Sequence, residues 1–461
     1  MIDALVSVAI WVAAVQNPQE PQQPSATGPQ DQPPPQVPRT GRATRADDAP
    51  TVRMDRAPEQ TAVTWLERAP VTGDWLRARA WLWARGVQTT LTAVTDASVV
   101  AAGGVDPGAT ALRTLVDAEM NLDGERLLGW AGTRLYADLQ IQQGRDGSRD
   151  TGDVQVYSNI DGPDRVQLAQ LFVEHELDGG ALRWKLGKFD ANSDFAFVEH
   201  GFRFLHSSFG FAPTVLGFPT YPDPAFGGAV FVAPGAGSYF GLGIQDGATQ
   251  AGVATGPRGL RTLFGAPGDL FLVGEAGVAW HADAALPGRF GAGAWRHTGC
   301  FERADGGEQR GTAGGYATFD QQVWRDANEP RRGLGMFAQY GWADPEVSDI
   351  EHYVGAGAAW TGPFAARPDD ACGIGLAWAI WRDRPDDAVS GGGEVAVECF
   401  YGLVLTPWLR LKPDVQFLHD PGGAGSRAAA GVFSRRAARE FWGLVRRRAD
   451  RATLGTPGPP R

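Results

Sequence analysis

Cysteine is nearly absent from this 461-residue chain: Cys300, Cys372 and Cys399 are all it has. An odd number at wide gaps, with no CxxC pair, excludes a disulfide framework and a zinc site and leaves them as small apolar strand residues. Lysine is scarce, and 42 Lys+Arg against 53 Asp+Glu give a formal net charge of −11, so no strongly basic face invites nucleic acid. Past the first fifteen residues no apolar run approaches the roughly 18 residues of a transmembrane helix. The mean hydropathy of −0.23 is likewise too polar for a helical membrane protein. Signatures of catalysis are missing as well. There is no GxSxG, no P-loop and no GxGxxG opening a helix. His175-Glu176 begins an HExxH, but its second histidine would fall on Gly179. His206 stands beside Ser207 and Ser208 in sequence, which gives no Ser/His geometry. Asp146, Asp150 and Asp153 lack the EF-hand spacing and read as an acidic, solvated loop rather than a calcium site. Neither an enzyme, a cofactor nor a metal site is expected.

What the chain has in quantity is Gly (62 residues), Phe (23) and Trp (16), a set suited to strands that bend around a barrel and anchor at lipid interfaces. The clearest pattern lies in WAGTRLYADLQIQQ. Leu135, Ala137, Leu139 and Ile141 fall on one side; Arg134, Tyr136, Asp138, Gln140 and Gln142 fall on the other. Successive strand side chains point to opposite faces, so this is a strand with one apolar and one polar face. The pattern recurs. Leu171 and Val173 oppose Gln170, Phe172 and Glu174, and Leu182, Trp184 and Leu186 oppose Arg183 and Lys185. Leu409, Leu411, Val415 and Phe417 oppose Arg410, Lys412, Asp414 and Gln416. A soluble sheet hides its apolar face, whereas a membrane barrel turns it outward around a wet lumen.

In chain order, residues 1–14 read as a signal peptide, with a short apolar core and a small-residue cleavage site at Val12-Ala13-Ala14, although the usual positive start is missing. Residues 15–60 are rich in Pro and Gln without hydrophobic periodicity and read as a disordered tether. Residues 61–85 form a helical segment that Asp74 can cap and Gly86 can end; it either lies on a membrane surface or docks on the rim of the main domain. Residues 86–441 then alternate strand and turn. Candidate strands cover 86–96, 108–122, 130–142, 166–177, 181–190, 225–234, 237–247, 271–281, 287–299, 312–325, 332–343, 350–360, 371–382, 392–406, 408–419 and 426–436. That is an even sixteen of about ten residues each, the length a tilted strand needs to cross a bilayer. The segment 287–299 is too rich in Gly and Ala to orient. Tight turns at 178–181 and 406–408 contrast with long connections at 144–165, 191–224, 248–270 and 300–311, and short turns on one side with long loops on the other describe an outer-membrane barrel. A basic tail, 442–461, ends the chain.

On this reading Arg134, Asp138, Glu174, Arg183, Lys185, Glu394, Glu398, Arg410, Lys412 and Asp414 point into the lumen. Opposite charges across a lumen orient water and hydroxyl-rich solutes. The long segment 191–224 adds Asp194, Glu199, His200, Arg203 and His206 among many Phe; folded inward, it would narrow the pore. Aromatic faces beside charged donors suit sugars. For each of these residues a structural ion pair or a place on the rim is the competing expectation.

Several blocks together resemble the carbohydrate-selective porin (OprB) family: LLGWAGTRLYADLQIQQG, VYSNID, LAQLFVEHELDGGALRWKLGKFDANSDF, LHSSFG, the PTYP segment, and ECFYGLVLTPWLRLKPDVQFLHDPGG. GDWLRARAWLWARGV resembles the family's N-terminal helix entering its first strand. The similarity spans about 73–441. It implies a sixteen-stranded outer-membrane barrel that passes monosaccharides and similar solutes by diffusion, with a charged constriction to which 166–190 and the HSSFG loop contribute. The chain departs from the family's pattern at its end. Phe441 stands where the terminal aromatic belongs, and WGLVRRRADRATLGTPGPPR follows.

The expected partners are sugars, other small polar solutes and outer-membrane lipid, with no nucleic acid, in a monomer or a homo-oligomer. The competing functions are a general small-solute porin and a surface barrel that binds without conducting.

Overall fold

The structure is a computed structural model. It describes residue 72 and residues 78–442, apart from 236, 259–267, 283–285, 384–391, 424 and 426. The expected signal peptide and tether, and the tail beyond Trp442, lie outside the described residues. Sixteen antiparallel strands close into one barrel. The first eight are β1 (Val87–Ala102), β2 (Thr110–Asp123), β3 (Thr133–Gly144), β4 (Arg165–Leu177), β5 (Leu182–Phe189), β6 (Ala225–Gly235), β7 (Ser238–Asp246) and β8 (Leu270–Ala282). The rest are β9 (Leu286–Glu302), β10 (Glu308–Arg325), β11 (Gly333–Ala343), β12 (Ile350–Thr361), β13 (Ala371–Trp381), β14 (Gly393–Thr406), β15 (Leu409–His419) and β16 (Ala430–Trp442). Each strand pairs with its neighbours in sequence, and β1 pairs with β16, from Leu91 opposite Trp442 to Ala102 opposite Gly431. Closure leaves no edge with unpaired N–H and C=O groups, which is the condition for strands to stand in hydrocarbon.

The alternation sorts inside from outside in the inverse sense of a soluble protein. Leu242 is 65% exposed and Ile374 56%, whereas Glu394, Glu398 and Gln416 are fully buried. Apolar side chains therefore cover the outer wall and polar ones fill the lumen. Outward Trp324 and Trp360 stand at the short-turn ends of β10 and β12, and Trp342 and Trp378 at the long-loop ends of β11 and β13, the places of two interfacial aromatic girdles. The Gly/Ala-rich strand β9 takes its orientation from its large residues. Trp295 and His297 are buried inward, while Ala292 and Ala294 lie on the opposite face.

All sixteen expected strands are present, with shifted ends. The largest shift is in β16, expected at 426–436 and found at Ala430–Trp442, so Trp442 ends the barrel rather than starting the tail. The run SRRAAREFW has weak strand propensity, but both neighbours hold it: β15 pairs with it from Ala430 to Arg439 without a shift, and β1 from Gly431 to Trp442 with a register shift near each end. The connection expected to be long at 300–311 is short. Strands β9 and β10 extend further and pair Glu302 with Glu308, leaving only residues 303–307 between them. Before the barrel, a helix at Ala78–Ala84 ends where Gly86 takes φ +87°, a left-handed conformation natural to glycine. The helix sits on the short-turn rim, where Arg126 donates to the Trp83 carbonyl and the Asp123 N–H to the Gly86 carbonyl.

The long connections do not stand out in solvent. The 190–224 loop folds into the lumen, burying Phe195, Phe204, Leu205 and Phe209 completely. The 145–164 loop, expected to be acidic and solvated, also turns inward at its far half. Tyr157 and Ile160 are buried there, and so are Asp150 and Asp153. Asp150 is neutralised by Arg145, and its carbonyl accepts from the N–H groups of Val105 and Asp106, so its charge is spent on the loop's own attachment.

Candidate functional site: the lumen and its inward loops

The wall holds the inward loops chiefly through main-chain N–H groups captured by wall carboxylates. Glu275 of β8 accepts from Ala196 N–H at 2.8 Å. Asp320 of β10 accepts from Glu199 and His200, each at 3.0 Å. Glu398 of β14 accepts from Leu205 at 2.7 Å and His206 at 2.8 Å. Glu394, four residues earlier on the same inward face, accepts from Val154 at 2.9 Å, Gln155 at 3.0 Å and Gly422 at 2.7 Å. A hydrogen bond to a charged acceptor is stronger than a neutral one, and each N–H would otherwise be buried without a partner. Neutral contacts complete the mount: Gln339 and Tyr353 donate to the Ser208 carbonyl at 2.6 and 2.7 Å.

Shape fits the same purpose. A Cβ added at Gly335 of β11 would fall 1.4 Å from His200 Nε2, and one at Gly375 of β13 within 2.8 Å of Phe209 and 3.0 Å of Phe204. These bare wall positions are sockets for loop rings. Phe204 then packs edge-on to Phe400 of β14, centroids 5.1 Å apart, and against Phe209 at 4.6 Å.

Of the residues expected to line the pore, five come together as one buried cluster. Arg134 meets Glu174 at 2.5 Å, Arg183 meets Glu174 at 2.7 Å and Asp194 at 2.9 Å, and Lys185 meets Asp194 at 2.5 Å. Arg183 also lies over Phe231, 3.9 Å from the ring centre. The cluster fastens the first turn of the constriction loop to β3–β5, so these charges act first as structural pairs. Asp138 is buried on β3 opposite Glu119 of β2. Glu398 serves as a loop clamp. His206 is buried against Phe209, and its ring nitrogens have no hydrogen-bond partner among the described residues. Burial pushes its pKa down to about 3, so the ring is neutral.

Glu199, Arg203, Arg410 and Lys412 face a common space, while Asp414 is buried on β15. A cavity of about 260 Å³ lies between the loop and the β12–β16 wall at the short-turn end. From the loop come Glu199, Phe202 and Arg203; from the wall come Phe400, Trp408, Arg410, Lys412 and Arg436. Arg203 donates to Thr361 Oγ1 at 2.5 Å, and Lys412 donates to the Arg203 carbonyl, with its ammonium 4.1 Å from the Phe400 ring centre. Charged donors, carboxylates and aromatic faces converge here on one solute-sized volume.

Sequence reasoning missed Glu275 and Asp320. Each is the one charged residue in its stretch, LFLVGEAGVAW and YATFDQQ, and that isolation was the available signal. It also missed Lys188, which donates to the carbonyls of Leu168, Thr255 and Gly256 and so ties the 247–269 loop to the wall.

A closed sixteen-stranded barrel with an apolar outer wall, a polar lumen and inward-folded loops defines the class: an outer-membrane porin, a channel. Residues 109–455 match the family described as carbohydrate-selective porin, OprB family, and the chain belongs to that family. It is 26% identical over 399 residues to Porin B of Pseudomonas aeruginosa, covering 76% of this chain and 87% of that one. The high-pH structure of Pseudomonas putida OprB superposes with a TM-score of 0.71 at 21% identity, covering 80% of this chain and 98% of that one. The low-pH structure superposes with a TM-score of 0.53 at 20% identity, covering 80% and 97%. Such a barrel resides in the outer membrane of a Gram-negative bacterium, and family and fold together assign it the diffusion of carbohydrates across that membrane.

Proposed function

We propose that monosaccharides and similar small polar solutes pass through the space between the inward 190–224 loop and the β12–β16 wall. Glu199, Arg203 and Arg410 contact the passing solute, while Arg134, Glu174, Arg183, Lys185, Asp194 and Glu398 hold the constriction in shape. The observation that carries this reading is the short-turn-end cavity, where charged side chains and the Phe202, Phe400 and Trp408 rings share one wall. Sugars present hydroxyls to the first and CH patches to the second. The cavity is smaller than the roughly 300–1,000 Å³ of drug-sized ligand sites, which fits a single small solute.

Reconstitution tests this directly. In a planar bilayer the folded protein gives open-channel current, and its absence would favour a barrel that binds without conducting. In liposome swelling, monosaccharides enter faster than amino acids of similar size. Equal rates would reduce the protein to a general small-solute pore.

A further inference from the structure

We propose that the outer wall of the barrel carries a groove for one acyl lipid with an anionic phosphate headgroup, taken from the leaflet on the long-loop side. The inference needs only a barrel standing in a membrane and does not depend on which solute crosses the lumen.

A groove of about 740 Å³ runs over the outward face of β5–β9, and its lining is almost wholly apolar. Gly228, Gly274 and Ala294 are its bare positions. Leu242 leans over one of them, with a methyl carbon 3.2 Å from where a Gly274 Cβ would stand. An empty groove would forfeit dispersion contacts, so hydrocarbon fills it. Chains alone give little specificity. Lipid tails are as apolar as leucine, and only packing distinguishes this groove from the wall beside it.

Specificity comes from Arg296. One register row, Leu186, Gly228, Ile244, Leu272 and Arg296, crosses the groove. On β5–β8 this row lies two to three residues from the strand ends that lead into the long connections. The groove therefore reaches the long-loop rim, where headgroups replace hydrocarbon. Arg296 is exposed on the outward face of β9. Its guanidinium lies beside Gly311 of β10, where a Cβ would fall 3.3 Å from one of its nitrogens. Gly311 is closer to the long-loop end than Ala313, the register partner of Arg296. The side chain thus reaches up towards the headgroup layer, as a long cationic chain does in a membrane. Among the described residues Arg296 has no ion-pair or hydrogen-bond partner. Asp269, just before β8, pairs with Arg310 instead, at 3.6 Å. Glu302 and Glu308 close the β9–β10 hairpin six residues beyond Arg296, roughly 20 Å along the strand. A cation on the lipid face is unfavourable without a counter-charge, and the planar fork of arginine matches phosphate oxygens. One ligand meets both features: chains in the groove and a phosphate on Arg296.

The test is native mass spectrometry of the full-length protein, folded and delipidated in detergent. Phosphatidylglycerol and phosphatidylcholine with identical chains are the probes. The expected result is one phosphatidylglycerol retained per barrel, half-saturating at about fivefold lower concentration than phosphatidylcholine. That factor corresponds to ~1 kcal/mol, the water-screened value of one charge contact. Arg296→Gln should bring the two lipids together. Gly228→Leu should weaken retention of both, and the wall has room for it, because a Cβ there meets nothing closer than 3.6 Å. Equal retention of both lipids by the parent overturns the proposal. So does a preference that survives Arg296→Gln, or retention that Gly228→Leu does not weaken. Dimer or trimer masses that carry no lipid also overturn it and give the groove to a second copy. Planar-bilayer current is read on the same preparations and should be unchanged in both variants. Lost lipid preference with current intact leaves the porin reading standing, whereas lost current strikes that reading and not this one.

Discussion

At Glu398 a single carboxylate holds two successive N–H groups of the constriction loop, Leu205 and His206, at 2.7 and 2.8 Å. Truncating it orphans both in a buried place, at about 1–3 kcal/mol for each unsatisfied group. Glu398→Ala is therefore expected to free the loop locally and give a larger, noisier single-channel conductance. Glu398→Gln keeps one acceptor oxygen and should fall between the two. Conductance and noise unchanged in the alanine variant would mean that the clamp does not hold the loop. Glu398 also marks how far residues can be read from sequence. Its inward direction followed from the alternation of β14, but its use did not, because its partners are main-chain groups of a loop about 190 positions away. The same holds for Arg183 and Asp194. Both were legible as charges, but only the folded loop brings them within 2.9 Å and turns candidate lining into mount.

Among elements, strands were legible and loops were not. Period-two alternation is local, so β3, β5 and β15 could be oriented from their own residues. The weak run of β16 and the small residues of β9 take their form from neighbours. The 145–164 loop was misread as solvated because its aspartates look like ordinary surface charge. In place, burial and nearby Glu394 push the Asp153 carboxyl up to about 7, and burial pushes Asp161 up to about 6 against the pull of Arg113. A carboxyl raised in the folded state binds more protons there than in the unfolded chain, where Asp titrates near 3.9. Its contribution is thus fully present below about pH 4 and is lost as pH rises to about 7. Amides of residues 150–158 should accordingly exchange faster at pH 8 than at pH 5 after correction for intrinsic rates, and Asp153→Asn should flatten that difference. Equal protection at both pH values in the parent protein would contradict this account.

The molecule as a whole depends on the seam where its first and last strands meet. Asp96 of β1 and Arg436 of β16 form a two-point ion pair across it, both bonds 2.7 Å. The pair also holds the 145–164 loop, since Ser158 donates to Asp96 and Arg436 donates to Asn159. Removing one partner of a buried pair costs about 3–5 kcal/mol. Asp96→Ala is expected to unfold at lower temperature in detergent, read by the shift of the folded band on unheated gels. A seam variant as heat-resistant as the parent would place closure elsewhere. The mounting of the loops has one more consequence. Because the wall carboxylates accept from main-chain N–H groups at Glu199, His200, Leu205 and His206, those four bonds do not depend on which residue other than proline stands there. Attachment and selectivity are thus separately adjustable. The side chains that meet solute can be exchanged one at a time, by evolution or by an engineer, while the loop stays hung on the same hooks.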